Sequence, residues 1–195
     1  MPRLDTRLEA EGAEFLVLGQ LLLQRIASYK TYTNMPGYDL VATNPESNKS
    51  HQGDDMPRLD TRLEAEGAEF LVLGQLLLQR IASYKTYTNM PGYDLVATNP
   101  ESNKSAMVQV KSRWRTGAAG FPIKNFNCDF VVVVLLNRGS KDGKKETLPP
   151  KYYVFPVALI EAAPRSDKWG KVNLRDIPDY QNYEEQWGLI SEFLR

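Results

Sequence analysis

The order of apolar and polar positions first predicts a helix in the second quarter of the chain. Residues 62–84 are apolar on nearly every face, which is typical of a largely buried helix. Thr61 is followed three residues later by Glu64, and this capping-box spacing favours a helix start there. Gly74 lies inside the predicted helix, where it costs some helix propensity but is expected to allow close approach to a sheet.

Strand patterns follow this helix. Short apolar runs, partly alternating with polar residues and separated by turn-forming residues, predict strands at residues 85–89, 93–98, 106–113, 128–136 and 152–156. The run at 128–136 is apolar and β-branched, which favours a central strand buried on both faces. Residues 117–127 read as a Gly-containing connection, and residues 137–150 as a polar, basic loop.

Helical patterns return near the C-terminus. One or two helical turns are predicted at residues 157–163. Asn182 followed by Glu185 favours the cap of a final helix. Its apolar face is predicted to consist of Tyr183, Trp187, Ile190 and Leu194. The order helix, three strands, connection, strand, strand, helix predicts an α/β sheet domain with an antiparallel opening.

The first fifty residues occur twice. Residues 1–50 and 56–105 are identical, and residues 51–55 join them. Identity over this length indicates a recent tandem duplication or an artificial repeat, rather than a divergent structural repeat. We therefore divide the chain into a duplicated segment (1–50: a helix and two strands), a linker (51–55) and a domain (56–195). The second copy is expected in the native position, because using the first would loop out about 55 residues at a higher closure entropy.

Composition disfavours several kinds of chemistry. His51 is the only histidine, which argues against Ser-His-Asp hydrolysis and histidine-ligated metal sites. Cys128 is the only cysteine and is expected to be a small core residue. No apolar run approaches the roughly 18–20 residues of a membrane-spanning helix. The acidic N-terminus is unlike a signal peptide, so we expect a cytoplasmic protein.

Charge is distributed unevenly along the chain. The 24 basic and 24 acidic residues cancel overall, but residues 104–151 contain ten basic and three acidic residues, a net charge of +7. A local excess of this kind suits a phosphate-bearing partner. A solvated loop face is the alternative explanation of the same count.

Three polar residues on neighbouring predicted strands suit one chemical site. Asp94 lies near the start of one strand, and Gln109 and Lys111 lie on the next. Side chains two apart on a strand share a face, so Gln109 and Lys111 point together while Val110 points into the core. Pairing of the two strands would bring a carboxylate, an amide and an ammonium into one small volume. The alternatives are a turn-capping role for Asp94 and an ordinary exposed lysine at Lys111.

This pattern resembles the PD-(D/E)XK nuclease superfamily, which has the restriction-endonuclease-like fold, and its small-endonuclease-like branch in particular. The signature is an Asp at the start of the second strand, then Asp, Glu or Gln, any residue and Lys on the third. The matching segments are GAE at 67–69, GYDLVA at 92–97, VQVKSRW at 108–114, NCDFVVVVLLNRG at 127–139 and YYVFPVALI at 152–160. The resemblance implies a mixed β-sheet flanked by helices, here with an extra N-terminal helix–hairpin copy.

The resemblance also implies an active site. Asp94 corresponds to the metal-binding aspartate, Lys111 to the catalytic lysine, and Gln109 stands where Glu or Asp is usual. Glu69 corresponds to the glutamate on the helix that completes the site, and Glu66 is its rival. The Gln at position 109 removes one negative charge, which implies weaker metal binding.

The implied cofactor is Mg²⁺ or Mn²⁺, since a hard cation prefers oxygen ligands. The implied ligands are Asp94, Glu69, Gln109 and the carbonyl group of Val110. The metal would stabilise charge that develops on a phosphate and lower the pKa of bound water. Lys111 would orient that water or offset the charge of the phosphodiester.

DNA is the expected partner, and four residues are candidate nucleic-acid contacts. They are Arg113, Trp114, Arg115 and Lys124. Basic residues interleaved with an aromatic residue suit backbone contact and base stacking, although a plain core role for Trp114 is equally consistent. The expected function is a metal-dependent endonuclease that hydrolyses DNA phosphodiester bonds. The alternatives are a catalytically weak or inactive nucleic-acid-binding module, or a variant whose extra copy blocks the site. A homodimer through the duplicated segment is also left open.

Overall fold

The computed structural model describes residues 6–31, 39–43, 61–86, 92–140, 142–166 and 170–195. Its elements are α1 (Arg7–Leu23), β1 (Ala27–Lys30), β2 (Leu40–Thr43), α2 (Thr61–Leu78), β3 (Ala82–Lys85), β4 (Leu95–Asn99), β5 (Lys104–Arg113), β6 (Gly120–Pro122), β7 (Phe130–Leu135), β8 (Lys151–Pro156), α3 (Val157–Ala162), β9 (Arg165–Ser166), β10 (Lys171–Asn173) and α4 (Gly188–Phe193). Two short 3-10 helices, Leu174–Asp176 and Tyr180–Tyr183, precede α4. The predicted mixed α/β class is confirmed.

A five-stranded mixed sheet organises the fold. Its strand order is β3-β4-β5-β7-β8. The first three strands form an antiparallel meander, β5 and β7 run parallel, and β8 returns antiparallel to β7. Residues 131–134 of β7 are fully buried, as the uninterrupted β-branched run predicts for a central strand. A separate three-stranded sheet has the order β6-β10-β9.

Two hydrophobic cores lie on opposite faces of the five-stranded sheet. Because side chains alternate along a strand, Val132 and Val134 join the core beneath the helices α1 and α2. Val131 and Val133 join the second core, which is completed by α3 and the smaller sheet. In the described part of the chain, no helix combines the length and apolar character needed to cross a bilayer.

The two copies of the repeated sequence form the same local structure. In each copy a helix is followed by an antiparallel hairpin, with Ala27 paired to Thr43 in the first and Ala82 paired to Thr98 in the second. The second copy supplies β3 and β4 of the five-stranded sheet, whereas β1 and β2 form a sheet of their own. Helix α1 packs on α2, so the first copy lies beside the second.

The helix predicted over residues 62–84 is shorter in the structure. Helix α2 begins at Thr61, whose side chain lies outside the described residues, so the capping box stays a prediction. The helix ends at Leu78, and Arg80 takes a left-handed backbone conformation with φ of 60°. The N–H of Ile81 donates to the carbonyl of Leu76 at 2.9 Å, which closes the helix end. The next strand therefore starts at Ala82, earlier than predicted, and residues 87–90 lie outside the described part.

The expected role of Gly74 is wrong. This residue faces the other helix rather than the sheet, since a Cβ atom added to it would lie 2.8 Å from the carbonyl oxygen of Gly12 in α1. A second correction concerns the connection at 117–127, which contains the short strand β6.

The sequence predicts that Asn182 caps the C-terminal helix, and this prediction is wrong. Asn182 lies inside a 3-10 helix, and α4 starts at Gly188. Between them, Glu185 has φ of 55° and its N–H donates to the carbonyl of Tyr152 at 2.9 Å. This contact with β8 interrupts the helix. Trp187 still packs in the helix-side core, as its apolar spacing predicts. Tyr183, predicted on the same face, instead packs against the second core.

Candidate active site

The pairing of β4 with β5 fixes the position of Asp94. Leu95 pairs with Val108, so Asp94, one residue earlier, lies opposite Gln109. The N–H of Asp94 donates to the carbonyl of Val108 at 2.9 Å. The N–H of Val110 donates to Oδ2 of Asp94 at 2.7 Å. These two hydrogen bonds hold the carboxylate against β5.

Gln109 and Lys111 point to the face of the sheet opposite α2. Their neighbours Val108 and Val110 lie in the helix-side core, and alternation along β5 turns the two polar side chains the other way. Lys111 is largely buried, and this burial lowers the pKa of its ammonium group. The nearby carboxylate of Asp94 acts in the opposite sense. The structure thus brings Asp94, Gln109 and Lys111 together.

Gln109 carries a buried polar atom without a partner. Its side chain is 6% exposed, and its Oε1 atom accepts no hydrogen bond from the residues that the structure describes. Leaving such an oxygen unpaired costs about 1–3 kcal/mol. Native proteins rarely retain one without a reason, such as a bound ion or water. The oxygen is suited to a cation or a donor group that binds on this face of the sheet.

Glu69 reaches this group only through Lys85 of β3. The carboxylate of Glu69 forms a close ion pair with the ammonium of Lys85. Burial lowers the pKa of Lys85, while Glu66 and Asp94 pull it upward. Lys85 therefore lies near carboxylates of α2 and near Asp94. The sequence analysis missed this residue, although antiparallel pairing within the hairpin should bring it near Asp94.

The oxygen donors fit a hard cation in part. Asp94 and Gln109 are adjacent, and the hydrogen bond described above holds the backbone of Val110 beside them. Within the described ranges, no group of three or more His, Cys, Asp or Glu side chains is placed to hold a metal ion. Glu69 is not part of this group, because it extends from α2 on the other face of the sheet and pairs with Lys85. It could act as a further ligand only if it moved around the sheet edge after this ion pair opens.

The connection between β5 and β7 borders the group. Gly92, two residues before Asp94, has φ of 115°, and a Cβ atom there would lie 2.9 Å from Asn127. Both facts require glycine at this position. Cys128 is buried, as the sequence predicts, and burial with the nearby Asp129 raises the pKa of its thiol to about 11. The positive charge of Lys111 acts to lower the pKa of this thiol, so Cys128 lies beside the site.

The four candidate nucleic-acid contacts do not share one surface. Trp114 packs against the helix-side core, which supports the core role for this residue. Arg113 is half-buried, while Arg115 and Lys124 are exposed. Arg115 lines an open cavity of about 440 Å³ together with Lys144 and other residues of the basic loop. Arg115, Lys144 and Lys145 therefore place positive charge together beyond the end of β5.

No family model matches the chain, and no curated protein matches it. Among solved structures, a bacterial homing endonuclease is similar, with 22% sequence identity and a TM-score of 0.47. The match covers 69% of this chain and 94% of that one. A likeness this distant assigns neither residues nor activity.

Proposed function

We propose that the chain is a metal-dependent endonuclease that hydrolyses phosphodiester bonds in DNA. The observation that carries the proposal is the buried amide oxygen of Gln109, which has no donor in the described structure and lies opposite Asp94. Lys111 adds a largely buried positive charge on the same face. A carboxylate, an amide oxygen and an ammonium together suit a hard cation and a phosphate.

Asp94 and Gln109 would hold Mg²⁺ or Mn²⁺, with the carbonyl of Val110 as a third ligand. When bound, the cation offsets the charge that develops on the phosphate and activates water for attack. Asp94 is suited to this role because backbone N–H donation to Oδ2 orients its carboxylate. Lys111 would contact a phosphate oxygen, and its burial strengthens that interaction because less water screens it.

Glu69 would complete the metal site, and Lys85 opposes it. The ammonium of Lys85 now neutralises Glu69, so recruitment of this carboxylate requires the lysine to move. Gln109 contributes no charge. Both features weaken metal affinity relative to a site with three free carboxylates, and we expect activity at millimolar rather than micromolar metal.

The DNA backbone would be attracted by the basic loop that follows β7. Lys144 is highly exposed, and it lines the same cavity as Arg115. Such exposed cations release counterions from DNA when they bind phosphates, so binding should weaken steeply as salt increases. These residues would position DNA without reading its sequence.

Plasmid cleavage in Mg²⁺, Mn²⁺ or EDTA tests the proposal. We expect nicking in either metal, none in EDTA, and a loss of about a hundredfold or more in Lys111→Ala. Lys171→Ala is the control, because Lys171 is an exposed residue of the smaller sheet. Cleavage that persists in EDTA, or is unchanged in Lys111→Ala, would refute the proposal.

A DNA-binding module without turnover is the second candidate. It is favoured by the neutral Gln109 and by the pairing of Glu69 with Lys85, which leave the metal site short of negative charge. Salt-sensitive DNA binding with no cleavage in either metal would identify this function.

A further inference from the structure

Helices α1 and α2 pack as an antiparallel pair in which each glycine contact occurs twice. A Cβ atom added to Gly12 would lie 2.9 Å from the carbonyl oxygen of Gly74, and one added to Gly19 would lie 2.8 Å from that of Gly67. Gly67 is the copy of Gly12, and Gly74 is the copy of Gly19. The first glycine of each helix therefore faces the second glycine of the other.

The side chains around the glycines obey the same symmetry. Phe15 stacks on its own copy, Phe70, with ring centroids 5.6 Å apart and planes 7° from parallel. A residue that contacts its own copy lies on the two-fold axis that relates the helices.

Two ion pairs are exchanged by that axis. Arg80 contacts Glu9 at 2.7 Å, and Arg25 contacts Glu64 at 3.8 Å. Arg80 is the copy of Arg25, and Glu64 is the copy of Glu9. Equivalent residues thus pair at both ends of the helix pair, closely at one end and at a longer distance at the other.

A surface that fits an identical copy of itself is the defining property of a two-fold interface between identical subunits. Every contact that α2 makes with α1 uses residues that α2 also possesses. A second α2 could therefore replace α1 with each of these contacts intact. The glycines also make the face specific. The two helix backbones approach so closely that any larger side chain at these positions would clash, so only a partner with glycines at the same spacing fits.

The contact with α2 is the most extensive one that α1 makes in the described structure. The buried residues of α1 are Gly12, Phe15, Leu18, Gly19, Leu22 and Leu23. On another side of the helix, Val17 is 51% exposed, whereas its copy Val72 is fully buried between α2 and the five-stranded sheet. The first copy thus packs on α2 at the outer side of the helix-side core, which its buried side chains extend.

We propose that α2 carries a self-association surface, the glycine face (Glu64, Gly67, Phe70, Gly74 and Arg80), and that α1 occupies it within the chain. The natural occupant is the α2 of a second molecule containing the domain 56–195. In the present chain α1 wins the competition because it is tethered, which gives it a high effective concentration. The duplicated segment then converts a two-fold dimer into a monomer.

The test exposes the glycine face in the full-length chain. Gly12→Leu with Gly19→Leu forces side chains into the backbone of α2 and expels α1, while leucine favours the helical state of α1 over glycine. Light scattering after size-exclusion chromatography should show 22.1 kDa for the unaltered chain and 2 × 22.1 = 44.2 kDa for the variant at micromolar concentration. A variant with unchanged circular dichroism that stays at 22.1 kDa would overturn the proposal.

A matched control blocks both copies of the face. Adding Gly67→Leu and Gly74→Leu leaves the displaced α1 as it was but removes the surface on α2. This chain should stay monomeric. Dimerisation as strong as that of the first variant would place the contact elsewhere and contradict the proposal.

A charge exchange tests the same face without altering its packing. In the Gly12→Leu, Gly19→Leu background, Glu64→Arg would set like charges against Arg80 of the other molecule and weaken the dimer by roughly fivefold. Adding Arg80→Glu should restore the association constant. If Glu64→Arg has no effect, or Arg80→Glu does not rescue it, the dimer does not use the glycine face.

Discussion

The two copies of the repeated sequence adopt one local structure in two different environments. Both form a helix and a hairpin with the same register. Leu95 in the second copy is fully buried beneath α2, whereas its copy Leu40 is only half-buried. Strand β4 has β5 as a neighbour, and β2 has only β1 among the described strands. Local sequence therefore sets the elements, and the rest of the chain decides which side chains are buried.

The same contrast appears in one pair of lysines. Burial acts to lower the pKa of Lys30, but its hydrogen bonds with Glu14 and Glu11 outweigh this and raise the pKa above its usual value. Burial prevails at its copy Lys85, whose pKa is lowered despite the neighbouring carboxylates. Because β5 stands only beside the second copy, only that copy has its hairpin polar groups placed against Gln109 and Lys111.

The largest expected effect separates the two aspartates. Asp94→Asn keeps an acceptor for the N–H of Val110 but removes the charge, so we expect cleavage to fall by about a hundredfold to a thousandfold. Asp39→Asn, the same change in the first copy, should leave cleavage unchanged. The measurement is the initial rate of plasmid nicking. Loss of activity in Asp39→Asn alone would reverse the assignment of the native copy.

A smaller effect separates the two leucines. Leu95→Ala should lower the free energy of unfolding by about 3 kcal/mol, because it opens a cavity in a closed core. Leu40→Ala should cost less than about 1 kcal/mol, as is usual for a partly exposed position. Urea denaturation of both variants gives the comparison. If both variants lost the same free energy of unfolding, pairing with β5 would not make Leu95 more important for stability than Leu40.

The smallest effect concerns the lysine pair. Lys85→Met should leave the carboxylate of Glu69 without its cation and available to a metal, since a buried charge deprived of its partner is unfavourable. We expect the Mg²⁺ concentration for half-maximal cleavage to fall roughly tenfold. Lys30→Met should not change it. If Lys85→Met instead abolishes cleavage at every metal concentration, Lys85 belongs to the active site and does not compete with the metal.

The relation of Asp94 to Gln109 is accessible from sequence because it is local. A short turn joins β4 to β5, so few registers are available and alternation then assigns the faces. The central strand and the class of the fold can also be predicted from sequence, because an unbroken β-branched run is typical of a strand buried on both faces.

The remaining features depend on contacts that no local pattern encodes. The end of α2 was placed too late because Arg80, not glycine or asparagine, takes the left-handed conformation there. Gly74 was assigned to the sheet because a sequence does not reveal which neighbour requires a glycine. Two further features arise only once the strands have assembled. They are the unpaired oxygen of Gln109 and the proximity of Lys85 to Asp94 and to carboxylates of α2.

The glycine contacts of α1 carry a consequence for the later history of this gene. If the first copy serves only to occupy the surface of a second subunit, selection preserves the face of α1 that contacts α2 and does not preserve the hairpin of β1 and β2. Substitutions at Asp39 would then accumulate, whereas substitutions at Gly12 and Gly19 would be removed by selection. Descendants of this chain should then retain an altered hairpin behind a well-preserved helix.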